Sequence, residues 1–244
     1  MAIWHTKKDQ PDLVRQALSK DIVVLAQAGD FGPLVNRAKT MMKLFPDDAA
    51  AVIDGVLTDL TRQIDRLRID AHLGKLEREK QAMLKQAKSL SQAAQMLAEL
   101  LLDWAVRQDM LKADLVPFEL LLAKATRLAG KAGHAVEMLK PLLAQNPDDT
   151  ELIFNMAEAL FAIGDEPSLI QAAEHYDKLI VGMGPPYPTT WWNAWLSRLK
   201  IMDKLNTSVA DIPLRIRALE LTDPNLGGEP YRSEFKRLQL KHAQ

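Results

Sequence analysis

Residues 116–149 have the sequence VPFELLLAKATRLAGKAGHAVEMLKPLLAQNPDD, and the chain repeats the pattern of this stretch from Thr150 at a spacing of 34 residues. In each copy a glycine interrupts two helical apolar patterns, at Gly130 and again at Gly164. A period of this length predicts a helical repeat array, in which stacked helix pairs bury a continuous core. Such arrays expose extended surfaces that bind other molecules. The pattern therefore predicts a scaffold rather than an enzyme.

The composition favours an all-α fold. Aromatic residues make up only 6% of the 244 residues, and no segment alternates with period two for long enough to indicate a strand. The chain has no cysteine, which excludes disulfides, thiolate metal ligands and a cysteine nucleophile. The formal net charge of −1 gives no global field that would attract nucleic acid or an anionic membrane. We therefore expect neither as a partner.

The apolar segments of the chain favour a cytoplasmic protein. The residues from Met1 to Lys8 are followed by no apolar stretch typical of a signal peptide. The densest apolar run, residues 97–106, contains Glu99 and Asp103 and is too short to cross a bilayer. We expect the chain to act in the cytoplasm.

The N-terminal half predicts one helix pair followed by a long helical hairpin. Residues 1–48 form the pair, a degenerate repeat whose first helix ends at Gly29 and whose second ends at Pro46. Residues 49–115 contain long helices with apolar residues at steps of three and four, as in a coiled coil. One unbroken helix over residues 49–112 would be about 90 Å long. We therefore predict a hairpin that projects from the body over residues 58–88.

Two positions compete for the turn of this hairpin. Gly74 is the preferred one, because the two arms on either side of it are equally polar. The stretch from Ser89 to Ser91 is the alternative, since a serine with Gln92 three residues on resembles a capping box.

The C-terminal half predicts three repeats over residues 116–226 and a capping helix within residues 227–244. Helices are expected over residues 117–130, 132–145, 150–163, 167–181, 190–205 and 212–221. Thr150 is a candidate N-cap, and Gly164 follows the end of its helix.

At these residues the chain resembles the tetratricopeptide repeat (TPR) family. That motif places small residues where paired helices touch, a large residue early in the first helix, glycine between the helices and proline at the end. The matching residues are Ala123, Gly130, Ala135 and Pro147 in the first repeat, Ala157, Gly164, Ala172 and Tyr176 in the second, and Trp191 in the third. The resemblance implies a right-handed superhelix of antiparallel helix pairs.

The resemblance also implies a concave groove lined by the first helix of each repeat. The candidate partner-binding residues carried over in this way are Lys124, Arg127, Phe154, Asn155, Glu158, Phe161, Trp192 and Asn193, with Leu120 and Leu196 beside them. Trp191 is expected in the core. Leu120 and Lys124 occupy positions where a carboxylate clamp of this family needs Lys and Asn, so we do not expect a chaperone-tail clamp.

Catalytic and cofactor motifs are not present in the sequence. No histidine pairs with a second histidine or a carboxylate at metal-ligand spacing, and no phosphate-binding loop or nucleophile elbow occurs. We therefore expect no enzyme activity, no cofactor and no metal. The predicted function is that of a protein–protein interaction adaptor, which binds a peptide or helix in the groove. The alternative is a self-associating component that forms a homodimer through the long helices of residues 49–112.

Overall fold

The computed structural model describes residues 11–73 and 76–242, and within these ranges the chain is helical with no strand. The prediction of an all-α fold is confirmed. The α-helices of the described ranges are α1 (Pro11–Ala28), α2 (Phe31–Leu44), α3 (Pro46–Leu73), α4 (Glu77–Arg107), α5 (Lys112–Leu128), α6 (Ala132–Gln145), α7 (Thr150–Ile163), α8 (Glu166–Gly182), α9 (Thr189–Lys204), α10 (Ile212–Thr222) and α11 (Tyr231–Lys241). None of them is both long enough and apolar enough to span a bilayer. The chain divides between Lys131 and Ala132 into two compact units.

The first unit is built on α3 and α4, two long helices that pack along each other. Their buried residues recur every three or four positions, which is the spacing that puts side chains on one helix face. These residues include Ile53, Leu57, Leu60 and Ile64 on α3 and Leu90, Ala94, Leu97 and Leu101 on α4. Ile22 of α1, Leu34 of α2 and Leu128 of α5 join the same apolar cluster. The two long helices are thus the centre of a five-helix core.

The ends of the long helices differ in part from the prediction. Pro46 opens α3 instead of ending α2, because a first helical turn does not need the N–H that proline lacks. Helix α3 ends at Leu73 and α4 begins at Glu77, and the preferred turn residue Gly74 lies outside the described residues. The alternative break is wrong, since Ser91 lies inside α4 and its Oγ donates to the carbonyl of Ala87 at 2.7 Å.

The predicted projection of residues 58–88 also differs from the structure. Leu60 and Ile64 are fully buried in the same cluster as the residues of α1 and α2. In contrast, no residue from Leu76 to Gln86 is buried. Residues 76–86 therefore extend beyond the apolar core, whereas residues 53–64 of α3 and 87–101 of α4 contribute side chains to it.

The second unit is a succession of neighbouring helices from α6 to α11. Helix α7 packs against α6 and α8, and α9 packs against both α8 and α7. The small residues that the repeat pattern places at helix contacts, Ala135, Ala157 and Ala172, are fully buried. Because alanine leaves room for a neighbouring backbone, these positions let the helices approach closely.

Acidic side chains begin α7 and α8. The Asp149 carboxylate accepts hydrogen bonds from the backbone N–H groups of Glu151 and Leu152, so Asp149 is the N-cap of α7. The predicted cap, Thr150, is instead the first residue of that helix. Asp165 caps α8 in the same way through the N–H of Ser168 at 2.8 Å. A side-chain oxygen at this position satisfies a donor that the helix cannot pair itself.

The C-terminal end of the second unit is an aromatic cluster covered by α11. The rings of Trp191 and Trp192 meet edge to face at 4.8 Å, and Phe235 of α11 packs on Trp192 at 6.4 Å. Ile212 and Ile216 of α10 complete the cluster. Edge-to-face pairs of this kind are favourable beyond the area that they bury.

Candidate functional site

The predicted groove residues fall into both units, and each group is described by itself. Lys124 and Arg127 lie on α5 in the first unit. Phe154, Asn155, Glu158 and Phe161 lie on α7 in the second unit, and Trp192 and Asn193 lie on α9.

Lys124 and Arg127 are half-buried side chains on the last turns of α5. Arg68 of α3 donates from Nη2 to the carbonyl of Leu128 at 2.7 Å and so satisfies the C-terminal end of this helix. Burial lowers the pKa of Arg68, against the opposing effect of Asp65, and the positive charge of Arg127 lowers it further. The end of α5 is therefore a locally basic site with two neighbouring guanidinium groups.

Helix α7 presents one face with an aromatic ring at each end. Phe154, Glu158 and Phe161 follow each other at steps of four and three residues, and all three side chains are half-buried. Residues at this spacing lie on one side of a helix. The two phenyl rings are thus separated by about 10 Å along the axis, at 1.5 Å per residue.

Asn155 does not belong to this accessible face. Its side chain is 4% exposed, and its amide donates to the carbonyl of Glu151 at 2.7 Å. The amide is therefore used within α7, one turn back, and a partner cannot reach it without disturbing the helix.

Glu158 links α7 to α8. The hydroxyl of Tyr176, a fully buried residue of α8, donates to Oε1 of Glu158 at 2.7 Å. This contact fixes the carboxylate between the two phenyl rings. Tyr176 matches the repeat pattern, but nothing in that pattern indicates its hydrogen bond to Glu158.

Phe161 lies beneath a lysine at the end of α9. The Nζ atom of Lys204 is 4.4 Å from the centre of the Phe161 ring, within the range of a cation–π contact. Lys204 also lines a cleft of about 540 Å³ with Gly164, Glu166 and Leu169. Sequence reasoning missed Lys204, because only the folded chain brings the end of α9 to the end of α7.

Trp192 is a core residue rather than a groove residue. Its side chain is 4% exposed, and Trp191 beside it is 6% exposed. The loop before α11 covers Trp192: a Cβ atom added at Gly227 would lie 2.4 Å from Cγ of its ring. The expectation that Trp191 is buried is correct, whereas the expectation that Trp192 faces a groove differs from the structure. The repeat register alone does not show that a later segment folds back over this face.

Asn193 is half-buried on α9 and accepts a hydrogen bond from the hydroxyl of Ser197 at 3.1 Å. Ser197 is buried, so this bond satisfies a polar group within the helix. Asn193 thus has a local structural partner while part of its side chain stays accessible.

A second cleft of the same unit, about 300 Å³, lies among α6, α7 and α8. Its lining includes Val136, Lys140, Met156, Gln171 and His175. Burial lowers the pKa of His175, Glu174 opposes that effect, and the charge of Lys178 adds to it. The surroundings of His175 therefore favour the neutral form of its imidazole. Within residues 11–73 and 76–242 no three histidine or carboxylate side chains come together in a geometry that could hold a metal ion.

The α7 face combines two aromatic rings, a carboxylate held by Tyr176 and a lysine ammonium. A scan against protein-family models gave no match to this chain, and a search of the curated proteins gave none either. The likeness to the TPR family thus stands on the residues and spacings quoted above.

Proposed function

We propose that this protein is a non-catalytic interaction scaffold of TPR-like architecture, in which the α7 face binds a peptide or helix of another protein. The observation that carries the proposal is the pair of half-exposed rings, Phe154 and Phe161, with Glu158 between them and Lys204 at one end. Aromatic side chains are common anchors of protein interfaces, because they bury a large area at little entropic cost.

The helix arrangement around this face supports a TPR-like interpretation. The first helices of the second and third predicted repeats, α7 and α9, contact each other, and α8 packs against both. Gly164 ends α7 in the left-handed conformation, with φ of 81°. A surface formed by the first helices of successive repeats is the one that binds ligands in proteins of this kind.

The side chains of the α7 face indicate which groups a bound peptide would need. Two apolar side chains about 10 Å apart would contact Phe154 and Phe161, which matches residues i and i+7 of a helix. An acidic group beside the second of them would meet Lys204. The carboxylate of Glu158 accepts a hydrogen bond from Tyr176. It would favour a hydrogen-bond donor on the bound peptide between its two apolar side chains.

The alternative, a homodimer formed through residues 49–112, has less support. Its apolar seam would need to be accessible, yet Leu60, Ile64 and Leu97 are fully buried within the first unit. Large apolar side chains that stay exposed beside this seam, such as Leu84 and Val106, are few and widely separated along α4.

The proposal is tested by selecting binders from a displayed peptide library on the full chain and measuring their affinity by fluorescence anisotropy. We expect Phe161→Ala to weaken binding of the selected peptides by about tenfold or more, since loss of an anchor residue costs about 2 kcal/mol or more. We expect Lys204→Glu to reduce the affinity of acidic peptides specifically. Ile170→Ala is the matched control, because Ile170 is an exposed apolar residue of α8.

A melting curve for each variant separates lost binding from lost folding. Peptides that bind Phe161→Ala and Lys204→Glu as tightly as the unaltered chain would contradict the proposal. A dimer detected by light scattering that Leu84→Asp disrupts would instead favour the alternative.

A further inference from the structure

Helix α10 has an apolar stripe on the side that faces away from its own core. Ile212, Ile216 and Leu219 are buried in the aromatic cluster. On the opposite side Leu214 is 62% exposed and Leu221 is 89% exposed, and Ala218 lies between them and is also exposed. The stripe shares no residue with the α7 face. Its leucines are seven residues apart, a separation of about 10 Å.

Two arginines flank this stripe without a partner of their own. At 100° per residue, Arg215 and Arg217 project on opposite sides of the line from Leu214 to Leu221. Both are exposed, and within residues 11–73 and 76–242 neither makes a hydrogen bond or ion pair. The acidic residue of α10, Glu220, is already paired with Lys236 of α11. Neither arginine of the stripe therefore has an ion-pair partner in the part of the chain that the structure describes.

We propose that this stripe is a second protein-docking surface, which binds an acidic amphipathic helix. Two leucines and an alanine over two turns fit the apolar face of one helix, whose residues at i, i+4 and i+7 would pack on them. Carboxylates on either side of that apolar face would pair with Arg215 and Arg217. Two exposed arginines that make no ion pair favour acidic partners, because opposite charges steer association and like charges oppose it.

The same charges argue against two other occupants. In a symmetric pair of copies the stripe would meet itself, and Arg217, which is nearest the midpoint of the stripe, would lie beside the copy's Arg217. An anionic membrane needs about four to eight basic residues for firm attachment, and the stripe has two. A helix with acidic flanks satisfies both the leucines and the arginines.

The test uses two labelled alanine-rich peptides, each about 25 residues long, because isolated helices of about 12 to 15 residues are only marginally stable in water. Both carry leucines at i, i+4 and i+7; the flanking residues are glutamates in one and lysines in the other. We expect fluorescence anisotropy on the full chain to show binding of the glutamate peptide at least about tenfold tighter than that of the lysine peptide. The affinity should fall when salt rises from about 0.05 M to about 0.5 M, since salt screens exposed charges.

Two variants locate the binding. Leu214→Ser/Leu221→Ser should lose the glutamate peptide, and Arg215→Gln/Arg217→Gln should weaken it and remove most of its salt dependence. These side chains are exposed, so melting curves should stay unchanged. Val181→Ser is the control, because Val181 is 86% exposed on α8. Phe161→Ala should leave this binding intact, which separates the stripe from the α7 face.

Three results would overturn the proposal: no binding of the glutamate peptide, equal binding of the two peptides, or binding that survives the double serine change. Attachment to vesicles of phosphatidylserine and phosphatidylcholine that the serine change abolishes would assign the stripe to a membrane. A dimer in light scattering that the same change abolishes would assign it to a second copy of the chain.

Discussion

Gly227 lies directly against the indole ring of Trp192, and its backbone has a φ of 78°. Both facts require glycine at this position: a Cβ atom would come within 2.4 Å of the ring, and a side chain would strain the left-handed backbone. The contact holds Gly227, in the loop before α11, directly against Trp192 of α9.

We predict that Gly227→Ala destabilises the second unit by roughly 2 to 4 kcal/mol, from the left-handed backbone and the overpacked ring together. Gly228→Ala is the matched control, since Gly228 has a φ of 81° but open space where its Cβ would lie. It should cost only about 1 to 2 kcal/mol. Thermal unfolding of both variants measures the difference, and equal losses would show that the ring of Trp192 can move aside freely.

Replacing Trp192 by alanine should destabilise the protein by roughly 3 to 5 kcal/mol, as expected for a buried large-to-small change. Trp191→Ala should have a similar cost, because its Nε1 also donates to the carbonyl of Ile180 at 3.1 Å. Chemical denaturation followed by circular dichroism measures both. A Trp192→Ala variant as stable as the unaltered chain would mean that this ring is not buried in solution.

Ala172 tests the close approach of α8 to its neighbours. Its side chain is fully buried, so Ala172→Leu should overpack the contact and cost on the order of 1 to 3 kcal/mol. Gln171→Leu is the control, since Gln171 is the exposed residue beside it. If both variants melt at the same temperature, the helices have room that the structure does not show.

The attachment of α11 should depend on pH through Asp203. Lys241 donates to its two carboxylate oxygens at 2.7 and 2.8 Å, and His242 Nε2 lies 2.9 Å from Oδ1. Burial would raise the pKa of Asp203, but the hydrogen bonds and charges of Lys241 and His242 outweigh it and hold the pKa below its ordinary value. The stabilisation is therefore present above the unfolded pKa, about 3.9, and is lost as pH falls through the folded value.

Asp203→Asn should cost on the order of 1 kcal/mol near pH 6, since partial contact with solvent weakens the charged hydrogen bonds. The difference between the two proteins should shrink as the pH falls below about 4. Urea unfolding at a series of pH values measures this difference. A gap that stays constant down to low pH would mean that the carboxylate charge of Asp203 does not stabilise the fold.

The local features of the fold follow from short-range sequence signals. Helix existence, the position of Gly164 at a helix end and the burial of Ala135, Ala157 and Ala172 were all predicted, because each depends on a period or on a residue's own backbone preference. The alternative break at residues 89–91 is wrong, since the Ser91 hydroxyl donates to the carbonyl of Ala87 inside the helix.

Contacts between residues far apart in the sequence are harder to predict from local patterns. Apolar residues at steps of three and four occur both in a projecting hairpin and in a buried one. Leu60 and Ile64 lie in a core because residues of α1, α2 and α5 pack in the same cluster. In the same way, the helix face that holds Trp192 depends on Gly227 and Phe235, more than 30 residues later. Lys204 reaches Phe161 only in the folded chain.

Because Gly227 and Phe235 lie against the ring of Trp192, the fluorescence of this tryptophan should report on the position of α11. Helix α11 buries only Phe235 and Leu238 and is otherwise held by ion pairs such as Lys200 with Glu234 at 2.9 Å. Segments with few buried apolar side chains open before the rest of a domain. If α11 opens first, the indole of Trp192 should meet water, and its share of the emission of the five tryptophans should shift to longer wavelength before the other helices unfold.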